Sequence, residues 1–164
     1  MSCLKCKIDP NFHSFTDIGI FDNTKYIYTA PSRSKDITKD GSKLENFKKH
    51  VGDIGGGPWV WILDCSDIAS NEPIDTNYIS GVVKFLSENH DDTLKKVYVI
   101  KLNKVVKAGV FVIKKMFKQT LFERIEYFDG SPLELYLQYE KKGFNPKMIK
   151  WLISIDAGKP LPPF

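Results

Sequence analysis

The stretch from Leu94 to Phe128 constrains the fold most, because its hydrophobic period changes twice. Val97 to Leu102 is an apolar run short enough for a buried strand, Lys104 to Lys118 repeats with a helical period, and Ile125 to Phe128 reads as a further strand. A strand, a helix and a strand in that order are the unit of an α/β sheet with crossover helices. At roughly 100° per residue, Lys104, Lys107, Lys114, Lys115 and Lys118 gather in one arc of about 100°, and Val105, Val106, Val110, Val112, Ile113, Met116 and Phe117 cover the rest. Phe111 projects into the lysine arc, where a crossover helix gains nothing from an aromatic ring. An exposed apolar residue among lysines is the pattern of a helix lying in a membrane interface.

The rest of the chain supplies further elements of the same sheet. Asp17 to Phe21 and Lys25 to Ala30 read as strands around the hairpin turn Asp22-Asn23-Thr24. Pro31 to Gly41 is polar and is expected to be a mobile loop. Ser42-Lys43-Leu44-Glu45 has the form of a capping box, and a helix follows through Leu44, Phe47 and Val51 to Gly52. Trp59 to Leu63 is a buried strand. Asp75-Thr76-Asn77 provides an N-cap for a helix through Tyr78, Ile79, Val82, Val83 and Leu86, with His90 as a cap or surface residue at its end. Ser131-Pro132-Leu133-Glu134 combines an N-cap, a first-turn proline and a capping glutamate; Asn145-Pro146 starts the last helix. The expectation is one α/β domain with a mixed, mainly parallel sheet of about five strands and five helices. Residues 17–157 form it, 1–16 are an N-terminal segment, and 158–164 are a Pro-rich tail.

Motifs that would carry chemistry are incomplete. Gly55-Gly56-Gly57-Pro58 precedes an apolar strand, whereas a phosphate cradle follows a strand and opens a helix, so a turn is the better reading. Asp64 and Asp67 lie at the carboxyl end of a central strand, where α/β sheets place their sites. Their DxxD spacing lacks the partners of a phosphatase constellation, which favours turn chemistry. His13, His50 and His90 have no nucleophile motif beside them, so no triad can be argued.

Cys3-Leu4-Lys5-Cys6 has the spacing of half a zinc site, and His13 follows at a plausible distance, but no second CxxC pair appears and only three ligands are in view. A redox CxxC belongs between a strand and a helix N-terminus, not in a segment expected to fray. The expectation is therefore no metal and no catalysis, with Asp64, Asp67 and the cysteines carrying no chemistry. An odd total of three cysteines also disfavours a disulfide framework. The net charge of +4 is too mild to demand nucleic acid, and of 24 basic residues only Arg33 and Arg124 are arginines, which disfavours bidentate base recognition. No transmembrane or signal segment is evident, so a cytoplasmic protein peripheral to membranes is expected.

Trp59 to Asp64 followed by a helix, Leu94 to Ile100, an apolar helix ending Lys114-Lys115-Met116-Phe117, and Thr120 to Phe128 together resemble the CRAL-TRIO lipid-binding domain, over about Trp59 to Phe144. Leu161-Pro162-Pro163 and the lack of an N-terminal helical lobe are similar to the divergent branch of that family. The resemblance puts the helix from Lys104 to Lys118 in the place of the gate helix. It implies a hydrophobic or phospholipid ligand against Val106, Val110, Ile113 and Phe117, with Lys104, Lys107, Phe111, Lys114, Lys115 and Lys118 meeting an anionic membrane. No cofactor is implied beyond a bound lipid. The alternatives are a protein-interaction module of the same fold, as some members bind regulators of small GTPases, and a STAS-like regulatory domain suggested by Ile62-Leu63-Asp64 and Ile74-Asp75-Thr76.

Overall fold

A computed structural model describes residues 3–9, 12–35, 42–68, 75–115 and 119–158. Its centre is a five-stranded sheet in sequential order: β1 (Phe15–Phe21), β2 (Thr24–Thr29), β3 (Trp59–Asp64), β4 (Leu94–Ile100) and β5 (Ile125–Phe128). β1 and β2 are an antiparallel hairpin, and β2 to β5 run parallel. The hairpin turn has Asp22 at φ 50° and Asn23 at φ 60°, the left-handed pair that a tight two-residue turn needs and that Asp and Asn tolerate.

A parallel sheet that grows in one direction carries its right-handed crossovers on one face. α2 (Ser42–Gly52), α3 (Thr76–Asn89) and α4 (Lys104–Lys114) make those crossovers. Phe47 and Val51 of α2 and Val82, Val83 and Leu86 of α3 bury against Ile27, Trp59, Val97 and Val99 of the sheet. The second face is covered by the C-terminal helices α6 (Pro132–Lys142) and α7 (Pro146–Asp156), which bring Leu135, Tyr139, Met148, Ile149, Trp151 and Leu152 onto Val60, Ile62, Tyr98 and Ile100. Val97 to Ile100 are therefore buried on alternate faces in succession, which explains an apolar run without strict alternation.

The start of α6 matches its sequence signature. Ser131 Oγ accepts from Glu134 N–H, Glu134 Oε2 accepts from Ser131 N–H at 2.7 Å, and Pro132 occupies the first turn. Asp75 caps α3 by accepting from Tyr78 N–H, His90 is its C-cap, and Asn145 caps α7. The Ser42 capping box depends on side chains outside the described residues, as do most of the polar loop and the Pro-rich tail.

Three expectations are corrected. The central strand is Leu94–Ile100, not Val97 to Leu102, because Lys101 at φ 55° turns the chain out of the sheet before Leu102. The helix that begins at Lys104 ends at Lys114, and Met116, Phe117 and Lys118 lie outside the described residues. There are seven α-helices rather than five among the described residues. The extra two, α1 (Leu4–Ile8) and α5 (Gln119–Phe122), have 5 and 4 residues, too few to display a period.

Candidate functional site

α4 is set by the turn that precedes it. Asn103 caps the helix, its Oδ1 accepting from Val106 N–H at 2.9 Å, while its Nδ2 donates to the Ile68 carbonyl and ties the helix start to the loop after β3. From that anchor Val110 packs onto the core between sheet and crossover helices, and Val106 is half-buried. The opposite side carries Lys104, Lys107, Phe111, Lys114 and Lys115, all exposed, with Phe111 58% exposed. The segment KVVKAGVFVIK contains no acidic residue to neutralise them. Ile113 belongs to the helix backbone; Phe117 and Lys118 are outside the described residues.

Two cation–π contacts extend this face beyond the helix. Lys115 Nζ lies 5.0 Å from the Phe111 ring centroid, and Lys107 Nζ lies 5.4 Å from that of Tyr127 on the edge strand β5. Tyr127 is 44% exposed and its hydroxyl pKa is raised, first by burial of part of the ring and then by Cys65. The surface is thus two aromatic rings set among exposed ammonium groups. Tyr127 was missed in the sequence, since only the pairing of Val99 with Tyr127 shows that it emerges on the α4 side of the sheet.

A cavity lined by Asp64, Lys101, Tyr139 and Asp156, among others, lies on the other face, beneath α6 and α7, and measures about 10 Å³. That is room for about one water molecule.

At the carboxyl end of β3, Asp64 is consumed by its own surroundings. Tyr28 Oη donates to Oδ2 at 2.5 Å, Arg33 Nη1 stands 3.4 Å from the same oxygen, and Oδ1 accepts from the Ser66 amide at 2.9 Å and from the Ser66 hydroxyl. Arg33 also donates to Tyr28 Oη at 2.8 Å, and Ser32 Oγ donates to the Ser66 carbonyl. Burial, and then the charge of Asp64, push the Tyr28 hydroxyl far up and the Cys65 thiol up to about 12. A neutral thiol beside a carboxylate with every oxygen engaged suits a turn that closes a strand. Asp67, exposed at φ 61°, completes it.

The third group singled out in the sequence is the N-terminal one. Cys3 and Cys6 are buried, and with His13 they converge on a fourth residue that spacing did not offer, His50 of α2. Burial holds the Cys6 thiol above its ordinary value; at Cys3 burial acts the same way but is outweighed by hydrogen bonds from Cys6 and Lys5. No helix among the described residues is long and apolar enough to cross a membrane. No protein-family model matches the chain, and no curated protein matches it.

Proposed function

We propose that the chain is a non-enzymatic lipid-binding module of CRAL-TRIO-like architecture that docks on anionic membranes through α4. The observation that carries this reading is the exposure of Phe111 within a surface of Lys104, Lys107, Lys114 and Lys115 that holds no acidic residue of its own helix. Each lysine near an anionic surface contributes about 1 kcal/mol, and the Phe111 ring can enter the headgroup region. The cavity of about 10 Å³ under α6 and α7 is too small for an acyl chain, so the reading places lipid contact on the α4 face, with Val106 and Val110 at its inner margin. Cosedimentation with vesicles tests it. Binding to phosphatidylserine-containing vesicles, absent with neutral vesicles and weakened by added salt, is expected, because the Debye length falls to about 10 Å at 0.1 M. Equal sedimentation with both vesicle types would remove the electrostatic basis.

One observation favours the second reading, a protein-interaction module of the same fold. α6 exposes Leu133 at 68%, Leu137 at 53% and Tyr136 at 36%, an i, i+3, i+4 set on one side of a helix. Loss of vesicle binding together with a partner that protects α6 from hydrogen exchange would favour it.

A further inference from the structure

α1 has too little apolar burial to hold itself in place. It has 5 residues, and both of its aliphatic side chains face outward, Leu4 at 69% and Ile8 at 80% exposure. A single helical turn is unstable alone, and this one gains almost nothing from the hydrophobic effect. The buried side chains at this end are Cys3 and Cys6, at 7% and 4% exposure. One turn of helix brings them to the same side, three residues apart, facing His13 from the segment that leads into β1 and His50 from the last turn of α2.

The four groups each present one ligand atom, all within 4.8 Å of one another. Cys6 Sγ lies 3.2 Å from His13 Nδ1 and 3.3 Å from His50 Nε2, and Cys3 Sγ lies 3.5 Å from His13 Nδ1. For tetrahedral zinc with Zn–S of about 2.3 Å and Zn–N of about 2.0–2.1 Å, the sulfur-to-nitrogen edge is about 3.5 Å. The observed separations lie at or just under that edge. Hydrogen bonding also fits these separations, with the Cys6 thiol donating to His50 Nε2 while its sulfur accepts from His13 Nδ1–H, so metal loading decides between the two. His50 is also oriented as a ligand. Its Nδ1 is 2.6 Å from the Asn46 carbonyl, so Nδ1 carries the proton and donates, leaving the Nε2 lone pair directed at the cluster.

We propose that Cys3, Cys6, His13 and His50 bind one zinc ion in a closed, tetrahedral Cys2His2 site that pins α1 to α2 and to the start of β1. Binding releases two thiol protons, and two thiolates neutralise the dication, so the complex is neutral and compatible with its burial. Four protein ligands leave no open position, which makes the site structural. Thiolate with imidazole is a donor set that suits zinc and disfavours magnesium or calcium.

Elemental analysis of the 164-residue chain, purified without chelator, is expected to find about one zinc per chain. Exchange with cobalt(II) should give the ligand-field bands of tetrahedral cobalt and a thiolate-to-cobalt charge-transfer band. Cys3→Ser should lose zinc and weaken the charge-transfer band, whereas Cys65→Ser, just past the C-terminal end of β3 and outside the four-residue cluster, should keep both. If the cysteine variants fail to fold, the cobalt spectrum of the unaltered chain decides alone. A folded chain with only trace zinc and no charge-transfer band on cobalt titration overturns the proposal, as does a Cys3–Cys6 disulfide in protein purified under reducing conditions.

Discussion

Phe111→Ser separates a docking residue from a scaffolding one. A buried phenylalanine accounts for about 200 Å² of surface, so an exposure of 58% leaves roughly 115 Å² of ring available to a membrane. At about 25 cal/mol per Å², complete transfer of that area is worth about 3 kcal/mol, and a ring that enters the headgroup region to about half its depth gains about 1.5 kcal/mol, or roughly tenfold in partition. The remaining roughly 85 Å² is covered in the folded chain, so at the same coefficient the stability cost of the change has an upper bound of about 2 kcal/mol, below the 3–5 kcal/mol of a core phenylalanine. Partition into phosphatidylserine-containing vesicles, measured beside the melting temperature, checks both numbers. Unchanged partition together with a large fall in melting temperature would refute the reasoning and leave α4 as a scaffold helix.

Other consequences concern the scaffold. Tyr28→Phe removes the hydrogen bond at 2.5 Å to buried Asp64 and leaves Oδ2 with Arg33 alone, which should cost about 1–3 kcal/mol in chemical denaturation; no change would mean that the carboxylate has another outlet. Glu126 is held below its ordinary value near 4.5 by hydrogen bonds from Lys142 and then Lys96. A depressed folded value means stability that is present above about pH 4.5 and lost as pH falls through the folded value. Glu126→Gln should flatten that part of the stability profile by less than about 1 kcal/mol, since the side chain remains 29% exposed. Ser131→Ala should cost about 1 kcal/mol by breaking the capping box of α6, read as a drop in melting temperature; an unchanged value would show that Pro132 and Glu134 fix the helix start without it.

Local signals in the sequence predict local structure well here. The capping residues of α3, α6 and α7, the hairpin turn and the buried strand β3 all depend on residues within a few positions of one another, and each is found where spacing placed it. The exposure of Phe111 was also legible, because the helical projection needs only the residues of α4 itself. What failed was either too short or too distant. α1 and α5 have less than two turns and cannot show a period, and the end of β4 depends on the left-handed Lys101, which propensity does not mark. The N-terminal cluster shows the limit most clearly. Cys3, Cys6 and His13 were visible as three candidate ligands, but His50 was weighed only as a histidine without a nucleophile motif beside it. It becomes a neighbour only once α2 packs beside β1, where the Phe15 ring lies 5.2 Å from its imidazole.

The position of these two surfaces in the sheet makes their tests independent. His50 packs against Phe15 of β1, whereas the α4 face reaches Tyr127 of β5, and the order β1-β2-β3-β4-β5 puts those strands on opposite edges. Four strand spacings of about 4.8 Å separate the edges by roughly 19 Å. That exceeds the Debye length of about 8 Å at physiological ionic strength, and a zinc held by two thiolates adds no net charge to be felt at that range. Cys3→Ser, under conditions where circular dichroism shows the sheet and main helices intact, should therefore leave partition into anionic vesicles within about twofold of the unaltered chain, since sites this far apart without shared partners behave additively. The loss of α1 docking should appear instead as faster proteolysis near the N-terminus. A Cys3→Ser chain that keeps its fold yet loses vesicle binding would place the membrane contact at the N-terminal edge, on Lys5, Lys7 and the exposed Leu4 and Ile8, and would take it away from α4.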